Sequence, residues 1–275
     1  MAKGRRRRLA WWVAGGLAVV VLLAVGGPFV YIHFIEGPAP AKLSLPTARD
    51  TTSTSAAAEG ETTVGSVAGT WNVGSGSIAG YRVQEVLVGQ NATAVGRTSQ
   101  IWGSLTIAGS TVTKGSFTVN MASVVSDQSQ RNAKFAGPIM DVSRYPTATL
   151  TLSSPIALGQ LPGDGVIVHY SATGVLDLHG VSKTVSFPVS AERLSDQIDV
   201  LADINIPFAN WDIANPSVGG FVTTANNGTL EVLLHLTQGA GNPVSTSAGT
   251  GNSGGGGGPV TIPSTTVPPL TVPSS

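Results

Sequence analysis

The chain has 275 residues, 15 Lys+Arg against 15 Asp+Glu, 35 glycines, 17 prolines and no cysteine. That length admits one or two domains, and a single all-β domain can fill most of it. The lack of cysteine excludes disulfide scaffolding, thiolate catalysis, thiolate zinc sites and a lipid-modified cysteine anchor.

Charge is unevenly placed. Lys3, Arg5, Arg6, Arg7 and Arg8 form a basic stub over residues 1–8, and no acid appears before Glu36. The remaining 240 residues hold 10 bases against 15 acids, which suits nucleic acid poorly, since that binding rests on Lys and Arg neutralising phosphates.

Residues 9–35 read LAWWVAGGLAVVVLLAVGGPFVYIHFI, with no formal charge if His33 is neutral. A helix of that length would measure roughly 40 Å, enough to cross a bilayer with tilt. Trp11 and Trp12 at one end and Tyr31 near the other suit the two interfaces, and the arginines favour a cytoplasmic N-terminus. The expectation is a retained single-pass anchor in the cell membrane, with everything after it extracytoplasmic. A cleaved signal peptide, cut near Ala39 or Ala41, is the competing expectation. Its apolar region would be shorter, whereas apolar residues here continue through Phe29, Phe34 and Ile35.

Residues 36–66 are rich in Pro, Ala, Thr and Ser, and read as a disordered stalk. Over residues 67–238 the texture changes to short segments of period-two alternation. Val166, Val168 and Tyr170 alternate with Ile167, His169 and Ser171. Val181, Val185, Phe187 and Val189 alternate with Ser182, Thr184 and Ser186. Ile198, Val200, Ile204, Ile206 and Phe208 alternate with Asp199, Asp203 and Asn205, and Leu230, Val232, Leu234 and Leu236 share one side of a last strand. Further strands are expected over 80–88, 99–107, 111–123 and 148–153. Turn residues lie between them at 162–165, at His179-Gly180 and at Asn226-Asn227-Gly228, where Asn-Gly suits a tight hairpin.

One helix is expected after Ser126 or Asp127 as cap, with Gln130 completing a capping box and Gly137-Pro138 stopping it. Phe135, Ile139 and Met140 would then close one end of the sheet. The pattern predicts an all-β, antiparallel, eight-stranded barrel with one short helix closing an end. Residues 239–275, glycine-rich and then Pro/Ser/Thr-rich with no charge, read as a disordered tail.

Catalytic patterns are scarce. His169, His179 and His235 match no metal-ligand spacing and read as solvated surface residues. No GxSxG elbow appears. Asp196, Asp199, Asp203 and Asp212 lack calcium-loop spacing and read as solvated strand edges. No metal, cofactor or catalytic residue is expected. The interior then remains, since an eight-stranded barrel either fills with its own side chains or holds one small ligand. Alternation alone leaves that choice open.

Several stretches in order resemble the YceI-like domain family: Gly80-Tyr81-Arg82-Val83-Gln84-Glu85, Val95-Gly96-Arg97-Thr98 through Trp102-Gly103-Ser104, Phe117-Thr118-Val119-Asn120-Met121 with Ser126-Asp127 and Arg131-Asn132, Tyr145-Pro146-Thr147, and Asp177-Leu178-His179-Gly180-Val181-Ser182-Lys183. Asn132 stands where the family often has Asp, and Trp211-Asp212-Ile213 replaces a more usual aromatic-Gly-Ile step. The resemblance implies a lipocalin-like barrel whose apolar cavity binds an isoprenoid chain or related lipid, without established catalysis.

On that reading the expected cavity residues are Tyr81, Val83, Trp102, Phe117, Phe135, Met140, Tyr170, Phe187, Ile206, Phe208, Trp211 and Phe221. Arg82, Arg97 and Arg131 are the bases expected near the opening to meet an anionic head group. The expected partner is a polyisoprenoid, isoprenoid quinone or other long-chain lipid, with the membrane reached through the N-terminal helix. The alternative is a cell-envelope interaction or structural module with a filled barrel. Nothing in the sequence indicates a homo-oligomer.

Overall fold

The computed structural model describes residues 11–12, 15–17, 19–20, 39–46, 67–87, 89–217, 219–220 and 222–239. Twelve strands follow in order: β1 (Gly69–Val73), β2 (Ile78–Leu87), β3 (Gln90–Thr98), β4 (Ile101–Ala108), β5 (Thr111–Asn120), β6 (Thr147–Leu152), β7 (Ile156–Ala157), β8 (Val168–Leu178), β9 (Val181–Leu194), β10 (Gln197–Pro207), β11 (Val222–Thr224) and β12 (Asn227–Gln238). Helix α1 (Ser129–Lys134) and a π-helical turn (Phe135–Ile139) lie between β5 and β6.

Two broken strands, and the short β7 and β11 that only flank β5 and β2, reduce this number to eight staves. Both β1 and β2 pair with β12, through Val73 opposite Leu236 and Ile78 opposite Leu233. They are one long strand interrupted at residues 74–77. In the same way β4 pairs with β1 and β3 with β2, so β3 and β4 form the next stave. The ring continues through β5, β6, β8, β9, β10 and β12, all antiparallel, and closes back on β1 and β2. Closure pairs the sheet edges that an open sheet would leave exposed.

The strong alternators fold as expected. Ile198, Val200, Ala202, Ile204 and Ile206 of β10 face the interior with Leu230, Val232 and Leu234 of β12. Strand β3, Gln90–Thr98, is not among the strands expected from alternation, because its inner residues are small. Gly96 sits opposite Tyr81, and a Cβ there would lie 2.4 Å from the tyrosine ring. Only a bare backbone lets that ring lie flat on the wall.

The His179-Gly180 turn falls where expected, whereas the Asn-Gly step and the helix cap do not. The two-residue turn joining β8 to β9 is His179-Gly180, both at positive φ (53° and 77°). Asn227-Gly228 instead lies inside β12, paired with Pro207 and Ile206, so it forms no hairpin. Helix α1 begins after Gln128, which makes no side-chain cap bond. Ser126 is used otherwise: its backbone N–H and its hydroxyl both donate to Asn132 Oδ1, each at 2.7 Å. The Asn in place of the family's Asp therefore ties down the loop entering α1. Arg131 pairs with Asp127.

Asp212 has φ +52°. That left-handed position favours glycine, which accounts for the Gly usually found in the family at this step.

Of the predicted anchor, Trp11, Trp12, Leu17, Val19 and Val20 are helical and exposed, and the rest of 9–35 lies almost wholly outside the described residues. Among the described residues no helix is long and apolar enough to cross a membrane. The chain divides into Met1–Pro243 and Val244–Ser275, and the predicted tail beyond Gly239 is outside the described residues.

The stalk expectation needs correcting over 39–46. This segment is extended, with Leu45 only 7% exposed. Arg82 Nη2 donates to the Pro40 carbonyl at 2.8 Å, and Arg97 Nη2 donates to the Ala41 carbonyl. It is strapped to the barrel.

Candidate functional site

The inner faces of the staves enclose a cavity of about 560 Å³ that runs from the α1 end to the opposite end. This lies within the range of sites that take drug-sized or larger apolar ligands. The middle of the wall is aliphatic and aromatic, with Leu105, Phe117, Leu150, Ala172, Leu176 and Phe187 among its members. Polar side chains gather at the ends. Glu85, Gln128, Gln130, Arg131 and Lys134 stand at the α1 end, and Glu192 and Arg193 at the other.

Nine of the twelve expected cavity residues are in this wall: Tyr81, Val83, Phe117, Phe135, Met140, Tyr170, Phe187, Ile206 and Phe208. Tyr81 stacks on Phe135 with ring centroids 5.0 Å apart and planes 14° apart, joining β2 to the π-helical turn. Burial pushes the Tyr81 phenol up to about 12. At the far end the Tyr170 hydroxyl donates to the Leu158 carbonyl at 3.3 Å.

Three differ. Trp102 is not in the wall, because Ile101, Leu105 and Ile107 take the inner face of β4 and period two puts Trp102 outside with Ser104 and Thr106. Trp211 is 2% exposed but packs in the core cluster behind the wall. Phe221 lies outside the described residues.

Of the three bases, Arg131 alone reaches the cavity. Arg82 and Arg97 alternate outward, away from Tyr81 and Val83, and converge on Glu231 of β12. Arg82 Nε donates to Glu231 Oε1 at 2.5 Å and Arg97 Nη2 to Glu231 Oε2 at 3.2 Å. They are therefore unsuited to meet a head group at the opening. Glu231 is 1% exposed.

The histidines also need correcting. His235 Nδ1 lies 2.6 Å from Asp199 Oδ1, which also accepts from Gln197 Nε2 at 2.6 Å. Asp199 is fully buried rather than a solvated strand edge. His179 turns Nδ1 to the Trp211 carbonyl at 2.9 Å and packs edge-on against Tyr145 at 4.9 Å. The residues carrying much of the family resemblance, Tyr145, His179 and Gly180, thus form a structural knot below the α1 end. His169 remains exposed, beside Ser190.

The register sets Glu192 opposite Asp199 and Asp199 opposite His235 on three adjacent strands. Burial, then the neighbouring Asp199, pushes the Glu192 carboxyl above its ordinary range. Sequence reasoning missed this row because its members join only once three strands are aligned. Among the described residues no group of three or more His, Cys, Asp or Glu is arranged to hold a metal ion.

A closed eight-stave antiparallel barrel, hollow along its axis and apolar except at its ends, defines a class of small ligand-holding barrels. The model of the YceI-like domain matches residues 52–236, and the chain belongs to that family. No curated protein matches. Among solved structures the chain is similar to a polyisoprenoid binding domain from Saccharophagus degradans implicated in plant cell wall breakdown, with 16% identity, TM-score 0.49, covering 61% of this chain and 97% of that one. It is also similar to Burkholderia cenocepacia BcnA, with 20% identity, TM-score 0.44 and coverage of 56% and 95%. A Campylobacter jejuni YceI protein follows at 15% identity, TM-score 0.39 and coverage of 51% and 83%.

Proposed function

We propose that this chain is a membrane-tethered, extracytoplasmic binding protein that holds a polyisoprenoid, an isoprenoid quinone or a related long-chain lipid along the barrel axis. The observation that carries the reading is the long apolar cavity, bounded at both ends by polar side chains. Each buried CH₂ contributes about 0.8 kcal/mol, so a hydrocarbon chain needs no charged contact in the middle of such a tunnel. Membership of the YceI-like family supports binding rather than catalysis as the chain's role. The hollow interior removes the feature on which the filled-barrel module depended.

Tethering rests on the apolar run of residues 9–35 behind five bases. Arg131 and Lys134 make the α1 end the more cationic one, fitted to a polar or anionic head group.

The test is purification of the full chain in mild detergent, organic extraction and mass spectrometry, followed by titration of the emptied protein with polyprenyl alcohol and menaquinone. A co-purifying isoprenoid, or saturable uptake of one, is expected. Protein recovered empty that takes up neither lipid would refute the reading.

A further inference from the structure

The strapped segment 39–46 faces an outer wall built to receive it. Asp203, Glu231, Gly80 and Arg97 are register partners in sequence across β10, β12, β2 and β3, forming one transverse row on the outside of the barrel. Gly80 contributes no side chain, and a Cβ there would lie 2.9 Å from Arg97 Cγ. That gap lets Arg97 lie toward Glu231, alongside Arg82 from the next outward position of β2. Each guanidinium keeps a donor for the strap, one for the Pro40 carbonyl and the other for the Ala41 carbonyl.

The strap is suited to this wall. Pro40 fixes its own φ and reduces the freedom lost on docking. Lys42 lies close enough to Asp203 to oppose the rise that burial causes in that carboxyl. Leu45 buries its side chain, and on the barrel's outer face Leu233 is itself buried.

The chain length sets the consequence. From Ile35 to Gly69 an unstrapped chain could extend about 120 Å, but from Ile35 to Pro40 it can extend only about 18 Å. We infer that docking of residues 39–46 on the Arg82–Glu231–Arg97 row is a leash: it holds the wall formed by β2, β3, β10 and β12 against the bilayer surface and fixes which side of the barrel faces the lipid. The inference rests on the anchor reading of residues 9–35 given above.

The chain has no cysteine, so labels can be placed singly. Two measurements on the full chain in phosphatidylcholine vesicles test the leash. Spin labels on Ser44→Cys and Lys183→Cys report docking, and a donor dye on Lys183→Cys alone with an acceptor on lipid head groups reports height above the membrane. A narrow spin–spin distance distribution and strong energy transfer are expected. A variant with residues 39–46 replaced by alternating Gly and Ser should broaden the distribution and lose at least half of the transfer, with tryptophan fluorescence confirming a folded barrel.

A broad distribution in the parent chain, or equal transfer in both proteins, overturns the leash. Release of the intact chain from vesicles by carbonate, with the spin–spin distance still narrow, locates the failure in the anchor and overturns the leash with it. A protein that stays tethered but takes up no lipid fails the function proposed above and, if its distances hold, supports the leash.

Discussion

Gly115 offers a graded obstruction of the cavity. It lies on the inner face of β5, opposite Leu105, at ordinary backbone angles. A Cβ there would stand 3.6 Å from Leu152 Cβ and from Phe117 Cε2, and 3.8 Å from Leu105 Cβ. These are van der Waals contacts, so alanine fits without displacing its neighbours and a longer side chain must grow into the hollow. If a hydrocarbon chain passes β5, each added carbon displaces about one CH₂ of ligand, at about 0.8 kcal/mol. Gly115→Ala should weaken binding about 4-fold, and Gly115→Leu, with four carbons, by about 3 kcal/mol or about 200-fold.

Stability should move the other way. A strand-interior glycine costs roughly 0.5–1 kcal/mol relative to alanine, so urea midpoints of the empty variants should hold or rise. The assay is equilibrium titration with one polyprenyl alcohol of fixed length, beside urea unfolding of the same preparations. Wild-type affinity in a stable Gly115→Leu protein would refute the idea that the ligand runs the length of the barrel.

Gly96→Ala should act differently, because its Cβ would meet the Tyr81 ring at 2.4 Å. Tilting the ring off the wall and off Phe135 should cost about 1–3 kcal/mol in urea unfolding. Glu231→Ala leaves two guanidiniums without their carboxylate and should cost about 3 kcal/mol. An unchanged midpoint in that variant would show that the triad is solvated. Tyr81 ionises near 12 when folded and near 10 when unfolded, so its contribution to stability is full below pH 10 and is lost as pH rises toward 12. Absorbance titration of the tyrosinate should show one late-titrating phenol that Tyr81→Phe removes. Glu192, raised by burial and by Asp199, contributes stability below its ordinary value of 4.5 that is lost as pH rises above it. Glu192→Gln should therefore flatten the pH dependence of the urea midpoint above 4.5.

Much of the architecture was legible in the sequence because large side chains alternate where strands face a hollow. Strands β10 and β12 show this most clearly: Ile198, Val200, Ile204 and Ile206, and Leu230, Val232 and Leu234, share the face that lines the cavity. The rest depended on what does not repeat locally. Strand β3 is built on small residues, among them Gly96, whose value lies in making room for Tyr81. Size misplaced Trp102, since Ile101, Leu105 and Ile107 together decide which face of β4 turns inward. Nine of the twelve residues expected in the cavity line its wall, but the partners of Arg82 and Arg97 could not be read. Glu231 lies 149 and 134 positions away in the chain, and only the closed register brings the three together.

Ring closure also determines how cargo must travel. Each stave is joined to a neighbour on both sides, and only the short stretch where β9 outruns its β10 ladder, which stops at Val189 opposite Ala202, lacks that bonding. Over most of the wall, then, a guest cannot slip in sideways and threads lengthwise past α1 or past the loop before β8. Exchange kinetics will then be governed by how readily those end pieces move aside, however tightly the bore grips its contents, and two relatives with equal affinity could load and unload at very different speeds.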